Sequence, residues 1–354
     1  MQSKRIDIIA EISDKLLNDS NYNADAKGLG FFFRKSNINR ILKNYENTHL
    51  MPVGTVYIVS PSNVDYLFAY NALIAWLFGN EVVVKLPENI GSNREDVFAV
   101  VNLINQNCNN IFIKSISRSS HENISYLKNS DSVIIWGGND AVNNIRKAEI
   151  KPTARIIGFP DRKSGSIFNL EKILLSEKKI KEFATDVLSQ TQLACSSPSF
   201  LFIEKFTLDN WKLFLTKLSL ANSRFDRKGW VQENIIRVMK FCNGKKLKTH
   251  NGFSYELISI NEISRAIKNE SCGFGFFYII PVDSIKELIN IPNKDEWQTL
   301  TYDDESYVNK SELTDLNLKG PRFIRIKKIG EALSFSHIWD GIDLIRSVTI
   351  EIND

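Results

Sequence analysis

The side chain with the most chemical potential in this 354-residue chain is Cys195, in the segment Gln190-Thr-Gln-Leu-Ala-Cys-Ser-Ser-Pro198. Pro198 predicts a turn just after the cysteine, and a thiol presented on a turn is open to a substrate. Its thiolate would attack a carbonyl carbon. The competing reading is a small buried core residue, as free cysteine commonly is. Asn63 can donate an amide hydrogen bond to a developing oxyanion, or simply cap the helix that follows it. Lys85 and Glu88, three residues apart, can meet ribose hydroxyls or a phosphate, or stand as two solvated loop charges. Gly137-Gly138 lets a backbone approach a pyrophosphate closely, or makes a plain tight turn. His337, one of four histidines, can move protons near neutral pH, or serve as a surface or structural residue.

These residues need elements to hold them. Thr55–Val59 reads as a strand, Ser60-Pro61-Ser62-Asn63 as a turn, and Val64–Phe78 as a helix apolar on nearly every face, with Asn63 as its cap. Gly79-Asn80 ends that helix and Val82–Val84 is a β-branched strand. Helices over Asn93–Gln106, His121–Lys128 and Asp140–Lys147 alternate with strands at Ile111–Ile116, Ser132–Trp136 and Arg155–Gly158. Such alternation predicts βαβ units and a mainly parallel sheet, with ligands at the carboxyl ends of its strands. Residues 1–50 read as amphipathic helices broken at Gly28–Gly30, and residues 170–193 as one long helix running into Cys195. A second α/β block follows, with a strand at Phe200–Glu204, helices at Asp209–Leu220 and Gln232–Phe241, a strand at Phe276–Pro281 and a β-rich end over Phe323–Ile352. Two domains are expected: residues 1–168 with 331–354 for the cofactor, and residues 169–330 for catalysis.

Composition excludes some functions and favours a compartment. The net charge of +4 is too small to suggest a nucleic-acid footprint. The most apolar stretch, Val64–Phe78, is shorter than the ~20 residues of a bilayer span, so no membrane span is expected. The closest cysteines are Cys242 and Cys272, with no CxxC pair, so no metal site is expected. Sparse cysteine fits a reducing, cytoplasmic setting. No G-x-G-x-x-G follows a strand, so the ordinary Rossmann fingerprint is absent.

The order of these signals resembles the aldehyde dehydrogenase superfamily: Asn63 after the first strand, Gly79-Asn-Glu-Val-Val-Val-Lys85 after the helix, a Gly-Gly turn after a strand, and a lone Cys195 near mid-chain. Within it, Asp131-Ser-Val-Ile-Ile-Trp-Gly-Gly138, Gln192-Leu-Ala-Cys-Ser-Ser-Pro198 and Trp339-Asp-Gly341 resemble the long-chain acyl-CoA reductases of the LuxC type. The resemblance spans roughly residues 50–350 and implies a Rossmann-like parallel-sheet cofactor domain beside a second α/β catalytic domain. It implies that Cys195 accepts an acyl group from an acyl-CoA or acyl-carrier thioester and that a nicotinamide cofactor then reduces it to an aldehyde. Asn63, with the backbone N–H of Cys195, would hold the oxyanion. Lys85 and Glu88 would face the adenosine ribose, Gly137 and Gly138 the cofactor phosphates, and His337 is a candidate proton donor. NADPH is expected, with NADH as the alternative. A homo-oligomer and an acyl-protein synthetase partner are also implied.

One departure matters. Oxidising members of the superfamily carry a glutamate in an E-L-G-G-K-type segment, where it activates water. Here the corresponding stretch is Gly158-Phe-Pro-Asp-Arg-Lys-Ser164, whose only carboxylate is Asp161. Hydrolysis of a thioester needs a base and hydride reduction does not, which argues for a reductase. Two alternatives stand beside it: a reductase of a short or carrier-linked acyl group in a biosynthetic cluster, and a catalytically silent partner of the synthetase.

Overall fold

The computed structural model describes residues 2–88, 94–221, 227–242, 247–268, 272–292, 294–305 and 310–352. The chain divides into two units, Met1–Asp161 with Phe335–Asp354 and, between them, Arg162–Ser334. The division falls a few residues ahead of the boundary expected near 168.

The first unit opens with three helices, α1 (Gln2–Asn18), α2 (Ala24–Phe32) and α3 (Lys35–Leu42), and a short strand β1 (His49–Pro52). The alternating part follows: β2 (Thr55–Val59), α4 (Leu67–Leu77), β3 (Glu81–Leu86), α5 (Arg94–Asn107), β4 (Ile111–Ser115), α6 (His121–Asn129), β5 (Ser132–Trp136), α7 (Asn139–Arg146) and β6 (Arg155–Phe159). The five long strands form one sheet in the order β4-β3-β2-β5-β6, every pair parallel. The Val/Ile-rich cores of β2, β3 and β5 are buried on both faces, as expected of a sheet covered by helices on each side. All eleven residues of α4 are buried, which explains why no polar face shows in its sequence. After α4, Gly79 turns the chain at φ +103°. Asn80 then accepts from Gly54 N and donates to the carbonyls of Ala75 and Val348, tying α4, β2 and the C-terminal return together.

The second unit runs β7 (Lys163–Asn169), α8 (Leu170–Leu174), α9 (Glu177–Leu188), β8 (Phe200–Glu204), α10 (Leu208–Leu220), α11 (Arg227–Cys242), β9 (Lys248–His250) and β10 (Phe253–Leu257). It continues with α12 (Ile263–Ile267), β11 (Phe276–Pro281), β12 (Trp297–Tyr302), α13 (Lys310–Lys319) and β13 (Arg325–Lys328). Its seven strands are ordered β13-β12-β7-β8-β11-β10-β9, all pairs parallel except the β9–β10 edge. The chain then returns to the first unit through β14 (Ile338–Trp339), β15 (Ile342–Asp343), α14 (Leu344–Ser347) and β16 (Thr349–Ile352), and β16 pairs antiparallel with β1.

Three local expectations need correction. Helix α4 starts at Leu67 with Tyr66 at its cap position and no side-chain cap bond, so Asn63 does not cap it. The single helix expected over 170–193 is two helices, because the Ser176 hydroxyl accepts from Lys179 N and starts α9 anew. Helix α9 ends at Leu188, short of the cysteine. Asn93, expected to open α5, lies outside the described residues.

Candidate active site

In the first unit the chain proceeds from β2 outward to β3 and β4, then crosses back to β5 and β6. The order therefore reverses between β2 and β5, and the crevice outside their carboxyl ends is where open parallel sheets take ligands. The loop after β2 carries Asn63, which is exposed, and β5 runs directly into Gly137-Gly138. Lys85 is the penultimate residue of β3, in register with Val59 of β2 and Lys114 of β4. Glu88 stands exposed two residues past the strand. The sheet thus gathers Asn63, Lys85, Glu88, Gly137 and Gly138 on one edge. A small open cleft lies beside them, lined by Ser60, Ser62, Asp65, Phe68, Leu86 and Pro87.

Lys85 is buried, 7% exposed. Burial first, and then the Arg118 guanidinium, holds its ammonium below the ordinary lysine pKa, while Glu88 pulls the other way. Arg118 belongs to the loop after β4. Asn123 donates to its carbonyl at 2.9 Å while accepting from the Tyr57 hydroxyl of β2 at 2.7 Å. Two cations therefore share this edge, and sequence reasoning had named only one.

Gly138 is the cap residue of α7, and a Cβ there would stand 2.9 Å from Asp161 Oδ2. That oxygen accepts from Asn139 N at 3.3 Å, so the first turn of α7 already holds an oxyanion. Helix N-termini favour negative charge for this reason. A lysine, an arginine and a glycine pair fit the charge and close approach of a dinucleotide.

His337 lies just before β14, half-buried, its ring edge-on to Tyr45 at 6.2 Å. Burial lowers its pKa, with Arg40 adding to the fall and Asp343 opposing it. Asp343 is engaged otherwise, accepting from the Tyr45 hydroxyl and from the first N–H groups of α14. The structure thus sets His337 among the first unit's own packing groups.

Cys195 belongs to the second unit. Ser197 N donates to Ala194 O at 2.9 Å, closing a turn in which Cys195 is the second residue. Cys195 is half-buried, while its neighbours Ala194 and Ser196 are 6% and 2% exposed. Cys108 makes the contrast: it is buried in the first unit's core, and burial pushes its thiol up to about 12 although Arg5 opposes the shift. A reactive cysteine has to be partly exposed, and inert structural ones are not.

Two residues that sequence reasoning passed over hold the Cys195 turn. Ser164 of β7 donates its hydroxyl to the Cys195 carbonyl at 2.7 Å and accepts from Thr299 N of β12 at 3.1 Å. Gln192 is 1% exposed and places its amide between the turn and the start of β11. Before the turn the backbone does something rare. Gln190, Thr191 and Gln192 take φ of +52°, +51° and +59° in succession. Left-handed backbone costs a non-glycine residue about 1–2 kcal/mol, so three in a row are held only by surrounding contacts. No composition signal marks such a run; the polar Gln-Thr-Gln before a cysteine is its only trace.

Among the described residues, no group of three His, Cys, Asp or Glu side chains could hold a metal, and no helix is long and apolar enough to cross a membrane.

Known proteins share the fold that carries these residues. No curated protein sequence matches the chain. Solved structures do, over 99% of its length. One is a glyceraldehyde-3-phosphate dehydrogenase from Methanocaldococcus jannaschii complexed with NADP, at TM-score 0.67 and 12% identity over 89% of that chain. Another is an aldehyde dehydrogenase from Bartonella henselae, at 0.69 and 11% over 86% of that chain. A third is an indole-3-acetaldehyde dehydrogenase complexed with NAD+, at 0.68 and 12% over 82% of that chain. These likenesses show the aldehyde dehydrogenase fold. A family model for acyl-CoA reductase (LuxC) matches residues 34–349. The chain belongs to the LuxC family of acyl-CoA reductases.

Proposed function

We propose that Cys195 is the acyl acceptor of this aldehyde-forming reductase and that the carboxyl edge of the first unit binds NADPH. The observation that carries the reading is the partly exposed Cys195 on a tight turn, in a family whose model spans both units. The thiolate attacks the thioester carbonyl, a bond forms between Sγ and the acyl carbon, and the carrier thiolate leaves. The backbone N–H of Cys195 and the Asn63 amide are assigned to the oxyanion. A reduced nicotinamide, when bound, supplies hydride to the acyl carbon. The resulting tetrahedral alkoxide collapses, breaking the bond from Sγ to the acyl carbon, releasing aldehyde and restoring the Cys195 thiolate; the one proton consumed over the cycle goes to the departed carrier thiolate. Asp161 Oδ2 accepts from Asn139 N at the start of α7, and the Gly158–Ser164 stretch carries no glutamate, which supports reduction over hydrolysis.

Lys85 is assigned to the adenosine ribose. Arg118 beside it favours a 2′-phosphate, and Glu88 opposes one. The cationic pair supports NADPH over NADH. Exposed Met51, Ile350 and Ile352 on the β1–β16 ribbon support association of copies.

The test is acyl transfer. Purified protein is mixed with radiolabelled acyl-CoA, with and without NADPH, and both bound label and aldehyde are measured. Wild type takes up label without cofactor and releases it as aldehyde with cofactor. Cys195→Ala does neither. Full activity in Cys195→Ala overturns the assignment.

A further inference from the structure

The Gln192 side chain is buried, and both polar atoms of its amide are hydrogen-bonded. Nε2 donates to Pro198 O at 2.9 Å and to Phe276 O at 3.1 Å, and Oε1 accepts from Gly275 N at 2.7 Å. Its backbone neighbours join the same clasp: Phe274 N donates to Thr191 O at 2.9 Å, and Leu193 N donates to Gln190 O at 2.9 Å. The other wall has no slack. A Cβ on Gly273 would sit 2.6 Å from Leu193 Cδ2 and 3.0 Å from Thr191 O. The amide therefore grips the chain on both sides of Cys195, three residues before it and three after, and anchors both to the strand start 84 residues away.

We infer that Gln192 is a positioning residue for acyl transfer: its buried amide sets the left-handed run and so aims the Cys195 sulfur and backbone N–H at the thioester. The inference rests on Cys195 being the nucleophile. Gln192 touches neither substrate nor the reacting atoms. Its effect passes through the turn alone. A thioester must meet the sulfur along one trajectory with its oxygen on the N–H donor, whereas a small alkylating reagent has no such demand. Loss of aim and loss of the thiol are therefore separable.

The experiment measures two rates on Cys195 in the full-length enzyme: acylation by acyl-CoA in a single turnover, and alkylation by iodoacetamide. Gln192→Glu keeps length and volume but replaces the Nε2 donor with an acceptor facing two carbonyls. Its acylation is expected to fall about 100-fold, the scale of a misplacement near 1 Å, with alkylation within about threefold of wild type. The deficit of Gln192→Glu relative to wild type should also shrink as pH falls and the new carboxyl regains a proton to donate, both rates being compared at the same pH so that protonation of the thiolate cancels. Equal losses in both rates, or acylation within threefold of wild type, overturn the inference. Should Gln192→Glu fail to fold, Gln192→Ala is read by the same two rates. Failure of both to fold makes the residue purely structural and also overturns it. Cys195→Ala is run alongside: if it still takes label, the nucleophile assignment has failed instead.

Discussion

The two candidate regions use opposite edges of their sheets. Asn63, Lys85 and Gly137 follow the carboxyl ends of β2, β3 and β5. Cys195 sits at the amino ends of β7, β8, β11 and β12, tied there by Ser164, Gln192 and the Thr299 N–H. The edges differ electrostatically. Helices begin where parallel strands end, so the first edge receives helix N-termini and their partial positive charge, as at α7. The second edge is approached by the end of α9, whose carbonyls offer an anion nothing. A phosphate site comes almost free with the first topology. The Cys195 turn on the second, proposed as the nucleophile site, rests instead on side-chain hydrogen bonds and the left-handed run Gln190–Gln192. The lesson is that the carboxyl-edge rule points to the edge proposed for the cofactor and says nothing of the cysteine proposed as nucleophile.

The comparison breaks most visibly at Lys85. If the first edge only binds cofactor, Lys85→Ala weakens cofactor and spares acyl transfer. A charge-assisted hydrogen bond contributes about 1.5–3 kcal/mol, so the KM for NADPH should rise ~10–100-fold. Single-turnover acylation without NADPH should stay near wild type. An acylation rate that falls in parallel would show that the two edges do not divide the labour.

Arg118 sharpens the same edge with a smaller effect. Its side chain is exposed, where screening limits an ion pair to roughly 1 kcal/mol. Arg118→Ala should raise the KM for NADPH about fivefold and leave that for NADH unchanged. Equal rises for both cofactors would remove Arg118 from 2′-phosphate recognition.

The two regions also differed in how far the sequence disclosed them. In the first unit the order of strands and helices was readable, and two strands, Thr55–Val59 and Ser132–Trp136, have the expected bounds; apart from α4, the other elements of the alternation differ at their ends by one or two residues. Helix α4 was found but begun three residues early, because Val64 continues its apolar pattern while lying ahead of the turn that leads into the helix. In the second unit β7 was missed. Its Lys-Ser-Gly-Ser start reads as loop, and Gly165 is there because Phe202 packs against it, where a Cβ would lie 2.7 Å from Cε2. Strand β12 was missed as well. Cys195 was readable by type and by the proline after it. Ser164 and Gln192 were not, since their partners lie 31 and 84 residues distant. Arg118 was hidden by being an ordinary loop cation until Lys85 proved buried.

The smallest effect concerns what steadies α9, the helix leading to the cysteine turn. Asp186 on α9 is fully buried, and its two oxygens accept from Gly330 N at 2.7 Å and Ala332 N at 2.9 Å. Burial raises its pKa from the ordinary 3.8 to about 7, although those two N–H groups pull it down. The folded chain therefore keeps a proton that the unfolded chain gives up. Its contribution to stability is complete below pH about 4 and is lost as pH climbs through about 7. Asp186→Asn cannot titrate, and its amide nitrogen cannot accept from the second N–H. That leaves one buried donor without an acceptor, at about 1–3 kcal/mol. The variant should melt lowest relative to wild type near pH 4, and the gap should narrow toward pH 8 as wild type alone loses stability. Melting curves recorded across that range decide the point. Two lines that stay parallel would mean that Asp186 is ionised in the folded chain throughout, its charge already satisfied by the two backbone N–H groups.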